Sequence, residues 1–360
     1  MHTAAEGFTF VVMADVDYIV VGLGIAGISA CTRLIEDGKD FVVFDTAEQT
    51  ATRVAGGVVN PVVLKWFTPV WEMNAFMNEA LPFYKRLSRH LDCPFLKELP
   101  INRVLTNPQE QNDWMVASDK KILEPYLSAT IGENKNSAIN APYGFGEVLQ
   151  AFKLDTPTLL NSFREMLHTT GRYVDTSFQY QELKLTDTGL AYGDIKAKRI
   201  IFCEGSAALK NPFFPPECLI PKKGEYLIIK APDLQLSSVL KGPFFIIPLG
   251  DHLYKVGATF VHGDNTFLET NRSKEQIENA LRKMITCEFE IISQLVGMRP
   301  TVKDRRPIVG KHIKYAQIAF LNGLGTRGIL MAPRLSKLLH DHLEHGLELP
   351  EDVRIDRFLS

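Results

Sequence analysis

The chain has 360 residues, 45% of them apolar and 23% charged, with 25 glycines and 20 prolines, which is ordinary globular composition and enough for two lobes or two domains. A formal net charge of −2 excludes a global attraction to nucleic acid or anionic membrane, though net charge does not see a local basic groove. The five cysteines are scattered and odd in number, which argues against a zinc knuckle or a disulfide framework and fits reduced thiols in a cytoplasmic protein.

No apolar run approaches the roughly 20 residues that a membrane span needs. Residues 1–14 (MHTAAEGFTFVVMA) hold a short apolar patch with no Lys or Arg ahead of it, which is not the pattern of a signal peptide. Met13 stands just before the first clear strand, so residues 1–12 are expected to be a disordered extension ahead of the natural start.

Residues 17–22 (DYIVVG) form a β-branched run ending in glycine, as a strand buried on both faces would. Residues 25–37 carry Ile28, Cys31, Leu34 and Ile35 at helical spacing and stop at Gly38, a C-cap glycine. Residues 41–44 (FVVF) make a second buried strand ending at Asp45. A helix is expected over 73–91, and another from Asp155 as N-cap, with Pro157 in its first turn, to about His168. Residues 172–178, 182–186 and 189–194 alternate like short antiparallel strands. Residues 198–203 return to the buried-strand pattern. Strands follow at 225–230, 244–248 and 253–259, then an amphipathic helix at 273–285, a strand at 317–321 and a helix at 329–345.

The natural parse is an α/β protein with a Rossmann-type nucleotide-binding domain (15–85, 145–218 and 298–360). Its pieces enclose a mixed, mostly antiparallel β domain for substrate (86–144 and 219–297).

Between the first strand and helix lies Gly22-Leu-Gly24-Ile25-Ala26-Gly27. In such a triplet the first glycine makes the tight turn, the second lets backbone approach a pyrophosphate, and the third lets helix and strand pack closely. The helix N-terminus offers free N–H groups and the positive end of its dipole to the phosphates. Asp45, at the end of the next strand, is placed to accept hydrogen bonds from ribose hydroxyls and would repel a 2′-phosphate. The motif leaves FAD and NAD both open.

Two later features favour FAD. Residues 53–61 (RVAGGVVNP) are small enough to pass beside a flat ring system. Near the C-terminus Asn322-Gly-Leu324-Gly325-Thr326-Arg327-Gly328 leads from a strand into a helix starting at about Ile329. That turn can direct N–H groups and helix dipole at the negative N1–C2=O edge of a reduced flavin.

With these segments in order, the chain resembles the D-amino-acid oxidase, glycine oxidase and sarcosine oxidase family of FAD-dependent oxidoreductases. The resemblance runs from Asp17 nearly to the end through DYIVVGLGIAG, FVVFD, AGGVVNP, LDTPTLL, RIIFCEG, KKGEYL, PLGDHLYKVGAT, VGMRPTVKDRRPIVG and NGLGTRGILMAP. It implies that residues 22–27 hold the pyrophosphate and that Asp45, with Thr46 beside it, holds the adenosine ribose. Thr52, Arg53, Ala55, Gly56, Gly57 and Val58 would take the flavin side. Backbone around Tyr180 would meet the adenine, Cys203, Glu204 and Gly205 the ribityl chain, and 324–329 the pyrimidine ring. Arg299 would be the bidentate partner of a substrate carboxylate.

The chain also departs from the family. Glycine-oxidase members place an arginine where Thr326 stands, whereas Arg327 directly before Gly328 is the form seen in the FAD domain of the bifunctional tRNA wobble-uridine modifying enzyme. Arg327 is therefore expected to contact the flavin site, with a solvated helix terminus and then a substrate contact as the alternatives. Tyr226 and Tyr254 are candidates for the active-site tyrosine of some members, and no cysteine matches the one that tethers flavin in sarcosine oxidases.

The expected chemistry is hydride transfer from a substrate Cα–H to the flavin, giving an imine that water hydrolyses, with oxygen as an available electron acceptor. No metal is expected, and no Gly-x-Ser-x-Gly or His-Glu-x-x-His appears. Lys255 is expected to face outward from its strand. Three rivals stand beside the small amine or amino acid oxidoreductase. One is an FAD enzyme acting on a carboxymethylaminomethyl-modified tRNA uridine, one a nicotinamide-dependent dehydrogenase, and one a non-catalytic FAD binder that would lack a cation in the substrate pocket.

Overall fold

The structure is a computed structural model that describes residues 15–46 and 50–358; the readings for residues 1–12 and Met13 lie outside it. Two eight-stranded sheets organise it. In the first, strands Tyr173–Asp175, Phe41–Asp45, Asp15–Val21 and Ile195–Phe202 run parallel in that order. The second half of Ile195–Phe202 then pairs in parallel with Ile318–Asn322, while its first half turns back on Leu190–Tyr192. Period two sorts the side chains. Tyr18, Val20, Phe41 and Val43 enter one apolar cluster, and Ile19, Val21, Val42 and Phe44 enter another on the opposite face.

One sequence expectation changes here. Residues 173–175 do not pair antiparallel but run parallel to Phe41–Asp45. The helix Thr156–Thr169 supplies the crossover that returns the chain to the sheet edge in the same direction. Its start is as read: Asp155 caps it, accepting the Thr158 N–H at 3.2 Å, and Pro157 lies in its first turn. The helix Pro108–Ser118, capped by Asn107, and the strand Glu290–Arg299 were not anticipated.

The second sheet runs Glu290–Arg299, Lys222–Lys230, Leu253–Gly257, Phe245–Gly250, Val239–Lys241, Ile101–Val104, Phe145–Val148, Leu127–Gly132. Every pairing is antiparallel except Val239–Lys241 with Ile101–Val104, so it is a mixed sheet. Sheet membership puts Phe145–Val148, and the last two residues of Glu290–Arg299, across the boundaries expected at 145 and 298. One face of this sheet packs on the helix Asn271–Met284 through Leu227, Ile229, Val256, Ile277 and Leu281. The other faces the first sheet's loops.

The helix Gly328–His345 packs on Ile25–Glu36 and Met73–His90. Pro333 lies inside it and has no N–H, so the carbonyl four residues back is left without its helical partner. That carbonyl, of Ile329, accepts the Tyr84 hydroxyl at 2.7 Å instead, which ties the first turn of the helix to Met73–His90. Arg33 braces the same junction. It pairs with Glu36 and Glu79, donates to the Pro333 carbonyl and stacks on Phe83. No helix among the described residues is long and apolar enough to cross a membrane.

Candidate active site

Between the glycine turn of the first sheet and the inner face of the second lies a cavity of about 1150 Å³. That exceeds the roughly 300–1,000 Å³ of ordinary small-ligand pockets. The Gly22–Gly27 turn forms one end. Gly22 has φ +92°, and a Cβ there would lie 2.7 Å from the Cys203 carbonyl oxygen. At Gly27 a Cβ would lie 2.0 Å from the Gly22 carbonyl oxygen, so helix and strand meet at a distance only glycine permits. The helical ladder of Ile25–Glu36 begins with Ile28 N–H to Gly24 O at 2.9 Å. Ala26 and Gly27 therefore keep N–H groups with no partner within the helix, while Ile25 N–H goes to Thr52 Oγ1 at 2.9 Å.

Asp45 accepts the Leu23 N–H at 2.9 Å, and its other oxygen is 3.4 Å from Arg164 and from the Tyr173 hydroxyl. Burial pushes its carboxyl above the usual range, opposed by the Leu23 bond and by Arg164. Glu204, also on the cavity wall, is raised by burial while receiving hydrogen bonds from Tyr180 and Asn211. Arg164 and Asn211 escaped the sequence reading because they lie far along the chain from the glycine motif.

The other end is built by the second sheet. Tyr226 lines it, its hydroxyl accepting the Gly56 N–H at 3.2 Å, whereas Tyr254 is buried in the core behind and takes no part. The Arg299 guanidinium lies over Gly224, donating to Thr259 O at 3.1 Å and Lys223 O at 3.4 Å, with its carbon 5.3 Å from the Phe260 ring centre. Arg327 donates to Asn60 O at 3.1 Å from the N-cap of Gly328–His345. Among the described residues no carboxylate pairs with either arginine.

Of the residues singled out from the sequence, Gly22, Gly24, Ile25, Ala26, Asp45, Thr46, Thr52, Ala55, Gly56, Gly57, Val58, Tyr180, Cys203, Glu204, Gly205, Arg299, Leu324, Gly325, Thr326, Arg327, Gly328 and Ile329 all line this cavity. Gly27 sits beneath its floor, packed on Gly22. Arg53 is a correction: its side chain turns away to Asn161 Oδ1 at 2.9 Å, because the short helix Ala51–Val54 presents it to the outer face. Lys241, Phe260, Asn265 and Phe267 line the cavity without any sequence signal that would have found them.

Lys255 is a second correction. It does not face outward; it is 7% exposed and its ammonium donates to Ala55 O at 3.1 Å. Burial pulls it down to about 8 from an ordinary 10.5, and Lys241 likewise. Between pH 8 and 10.5 these two lysines are more protonated in the unfolded chain than in the folded one, so their own contribution to stability is lowest below 8 and rises with pH, whereas the buried thiols of Cys31, Cys203 and Cys218, held above their ordinary value, act in the opposite sense above about 9. The urea midpoint of Lys255→Met should therefore exceed that of wild type by more at about pH 7.5 than at about pH 10, as the wild-type lysine sheds its proton. A difference between the two proteins that does not change with pH would show that Lys255 titrates as an exposed lysine does.

Comparison with known sequences settles the family. Residues 17–342 match the FAD dependent oxidoreductase family, DAO. The chain belongs to that family. Its cofactor is accordingly FAD, which removes the nicotinamide alternative, and the cavity fits it. The cradle is lined by glycines whose Cβ atoms would meet backbone, two helical N–H groups are available for the pyrophosphate, and the length of the cavity is continuous from Asp45 to Arg299.

This FAD-dependent oxidoreductase is 25% identical over 355 residues to a glycine oxidase of Bacillus licheniformis, covering 90% of this chain and 92% of that one. It is 22% identical over 354 residues to the tRNA 5-methylaminomethyl-2-thiouridine biosynthesis bifunctional protein MnmC of Marinobacter nauticus, covering 90% of this chain. The match spans 55% of that bifunctional protein and 47% of a Bacillus subtilis glycine oxidase. In fold it is similar to the crystal structure of glycine oxidase from Geobacillus kaustophilus, with a TM-score of 0.78, 15% identity, and coverage of 93% and 96% of the two chains.

Proposed function

We propose that this oxidoreductase oxidises the C–N bond of a small amine or amino acid that carries a carboxylate. The observation that carries this reading is Arg299. Its guanidinium is held in the cavity wall by two backbone carbonyls and an aromatic face, with no carboxylate among the described residues to neutralise it. A planar fork of donors fixed by neutral dipoles is a receptor for an external carboxylate. A non-catalytic FAD binder would have no need of it.

The distribution of charge supports the same reading. The acidic residues on the cavity wall, Asp45 and Glu204, stand beside the glycine cradle, while Lys241, Arg299 and Arg327 line the remainder. A cationic chamber of this kind penalises a protonated amine, so it favours the neutral form that can be oxidised.

Bound FAD supplies the two-electron acceptor, and oxygen is the acceptor we assign to its reoxidation, as the oxidase relatives suggest. The chain's own part is to seat the carboxylate on Arg299, to present the amine-bearing carbon between Tyr226 and Phe260, and to keep water out with Phe267 and Ile247. Residues 22–27 would hold the pyrophosphate, Asp45 the ribose, the strip from 52 to 58 the flavin side, and 324–329 its pyrimidine edge. A second reading, oxidation of a carboxymethyl arm on a modified tRNA uridine, is favoured by Arg327 directly before Gly328 and by the Marinobacter match.

The test is an absorption spectrum of the purified protein followed by anaerobic addition of amino acids and N-methyl amino acids. Flavin bands that bleach with one carboxylate-bearing amine are the expected result. Bands that bleach only with tRNA carrying the carboxymethyl arm would replace this reading with the second. Bands that nothing bleaches would leave a non-catalytic binder.

A further inference from the structure

The strand Lys222–Lys230 has two faces with different tasks. Gly224 and Tyr226 line the cavity, whereas Lys223 and Glu225, both completely buried, point the other way. A buried lysine is costly unless its charge and donors are met. Those of Lys223 are met by a single stretch of irregular chain. Its ammonium reaches Asp264 Oδ2 at 2.7 Å, Thr266 Oγ1 at 3.4 Å and the Leu268 carbonyl. Glu225 lies 3.8 Å from the same ammonium and grips the end of the stretch, accepting from Thr270 N–H at 3.0 Å and Thr270 Oγ1 at 2.7 Å.

That stretch, residues 258–270, leaves the strand Leu253–Gly257 and ends where Thr270 caps the helix Asn271–Met284. Its first leg follows the strand, with Thr259 N–H to Glu225 O at 3.0 Å and Val261 N–H to Lys223 O at 2.9 Å. Its second leg holds the three contacts to the Lys223 ammonium. In between, Phe260, Asn265 and Phe267 turn back into the cavity wall, and both phenylalanines remain 49% exposed. The Thr259 and Lys223 carbonyls that fix Arg299 belong to this same assembly.

We propose that residues 258–270 are a strap closing the substrate end of the cavity, and that Lys223 is the positioning residue that sets the strap over Arg299. The inference rests on the reading that Arg299 receives a carboxylate. Lys223 touches neither cofactor nor substrate; it fixes the height of Phe260 and Phe267 and so the fit around the bound carboxylate. The Lys223 ammonium, with the hydroxyl and N–H of Thr266, holds the Asp264 carboxyl down at about 2.

The experiment uses the FAD-loaded enzyme and acetate as a plain carboxylate probe, its binding followed by the change it causes in the flavin absorption spectrum. Lys223→Met keeps the side-chain volume and leaves Asp264 free to face water. It should weaken acetate binding about tenfold and raise KM for the oxidised amine by a similar factor, with kcat within about twofold and FAD affinity unaltered. A side chain needed only for folding would instead lower FAD occupancy and thermal stability without that split.

Hydrogen exchange on the wild-type enzyme gives a second measure that needs no variant. Amides of 258–270 should slow when acetate saturates the site. Acetate binding equal in wild type and Lys223→Met, together with exchange that acetate does not change, overturns the strap. A wild-type enzyme that binds no carboxylate at all overturns the Arg299 reading, and the strap falls with it.

Discussion

Replacing Arg299 with methionine is expected to lower kcat/KM for a carboxylate-bearing amine by about a thousandfold, because truncating one partner of a desolvated, hydrogen-bonded charge pair costs roughly 2–5 kcal/mol. Methionine keeps an unbranched apolar stem but removes the guanidinium that lies over Gly224, so the fork and its charge are lost. Arg299→Lys keeps a charge but not the planar pair of donors, and should fall between the two, about ten- to a hundredfold below wild type. The flavin spectrum and FAD affinity should be unchanged in both, since this segment is tied to the C-terminal turn by the bond from Gly325 N–H to the Pro300 carbonyl at 3.0 Å, in which the Arg299 side chain takes no part. Equal kcat/KM in all three proteins would remove Arg299 from substrate recognition.

The glycine cradle should separate into two classes of glycine. At Gly27 an added Cβ would lie 2.0 Å from the Gly22 carbonyl oxygen, which is backbone and cannot swing aside. Gly27→Ala must push helix from strand, so it should abolish FAD retention and also lower the melting temperature of the apoprotein by several degrees, as overpacking of about 1–3 kcal/mol would. At Gly24 the nearest atom to an added Cβ is the Thr52 hydroxyl at 3.3 Å, a side chain with some freedom. Gly24→Ala should therefore leave apoprotein melting nearly unchanged while weakening FAD by about a hundredfold, because the methyl group intrudes where the pyrophosphate approaches. The check is a pair of thermal melts and FAD titrations on the apoproteins. Identical behaviour of the two variants would mean that the second glycine serves packing, not the ligand.

Most of the first sheet and its ligand end could be read from the sequence because their signals are local. A glycine triplet between a β-branched run and a helix-period segment leaves few alternatives, and Asp45 follows at the end of the next strand. Asp155 with Pro157 announced its helix in the same way. The second sheet was harder. Val239–Lys241 and Ile101–Val104 are too short to display a period, and Glu290–Arg299 is an edge strand whose exposed Ile292 and half-buried Gln294 break the alternation. Lys255 misled because composition treats a strand lysine as solvated, whereas this one hydrogen-bonds the carbonyls of Val54 and Ala55 from a buried position. The strap was invisible for a related reason. Its anchors are a lysine and a glutamate on the concealed face of a strand, and nothing local distinguishes them from surface residues.

The order of strands in the first sheet also bears on how the protein is made. Asp15–Val21 pairs with Ile195–Phe202, which in turn needs Ile318–Asn322 along its far half. Neither the sheet nor the cavity can close while the nascent chain is still short of residue 322, because the wall made by Leu324 to Ile329 has not been synthesised. Domains that fold during translation do so as units from the N-terminus. Here the edge of Asp15–Val21 stays open until Ile195–Phe202 has been made, and the far half of Ile195–Phe202 then waits for Ile318–Asn322. FAD capture is thus expected to follow synthesis of residues 324–329, and until then the open edges of Asp15–Val21 and then of Ile195–Phe202 are the segments that a chaperone would have to cover.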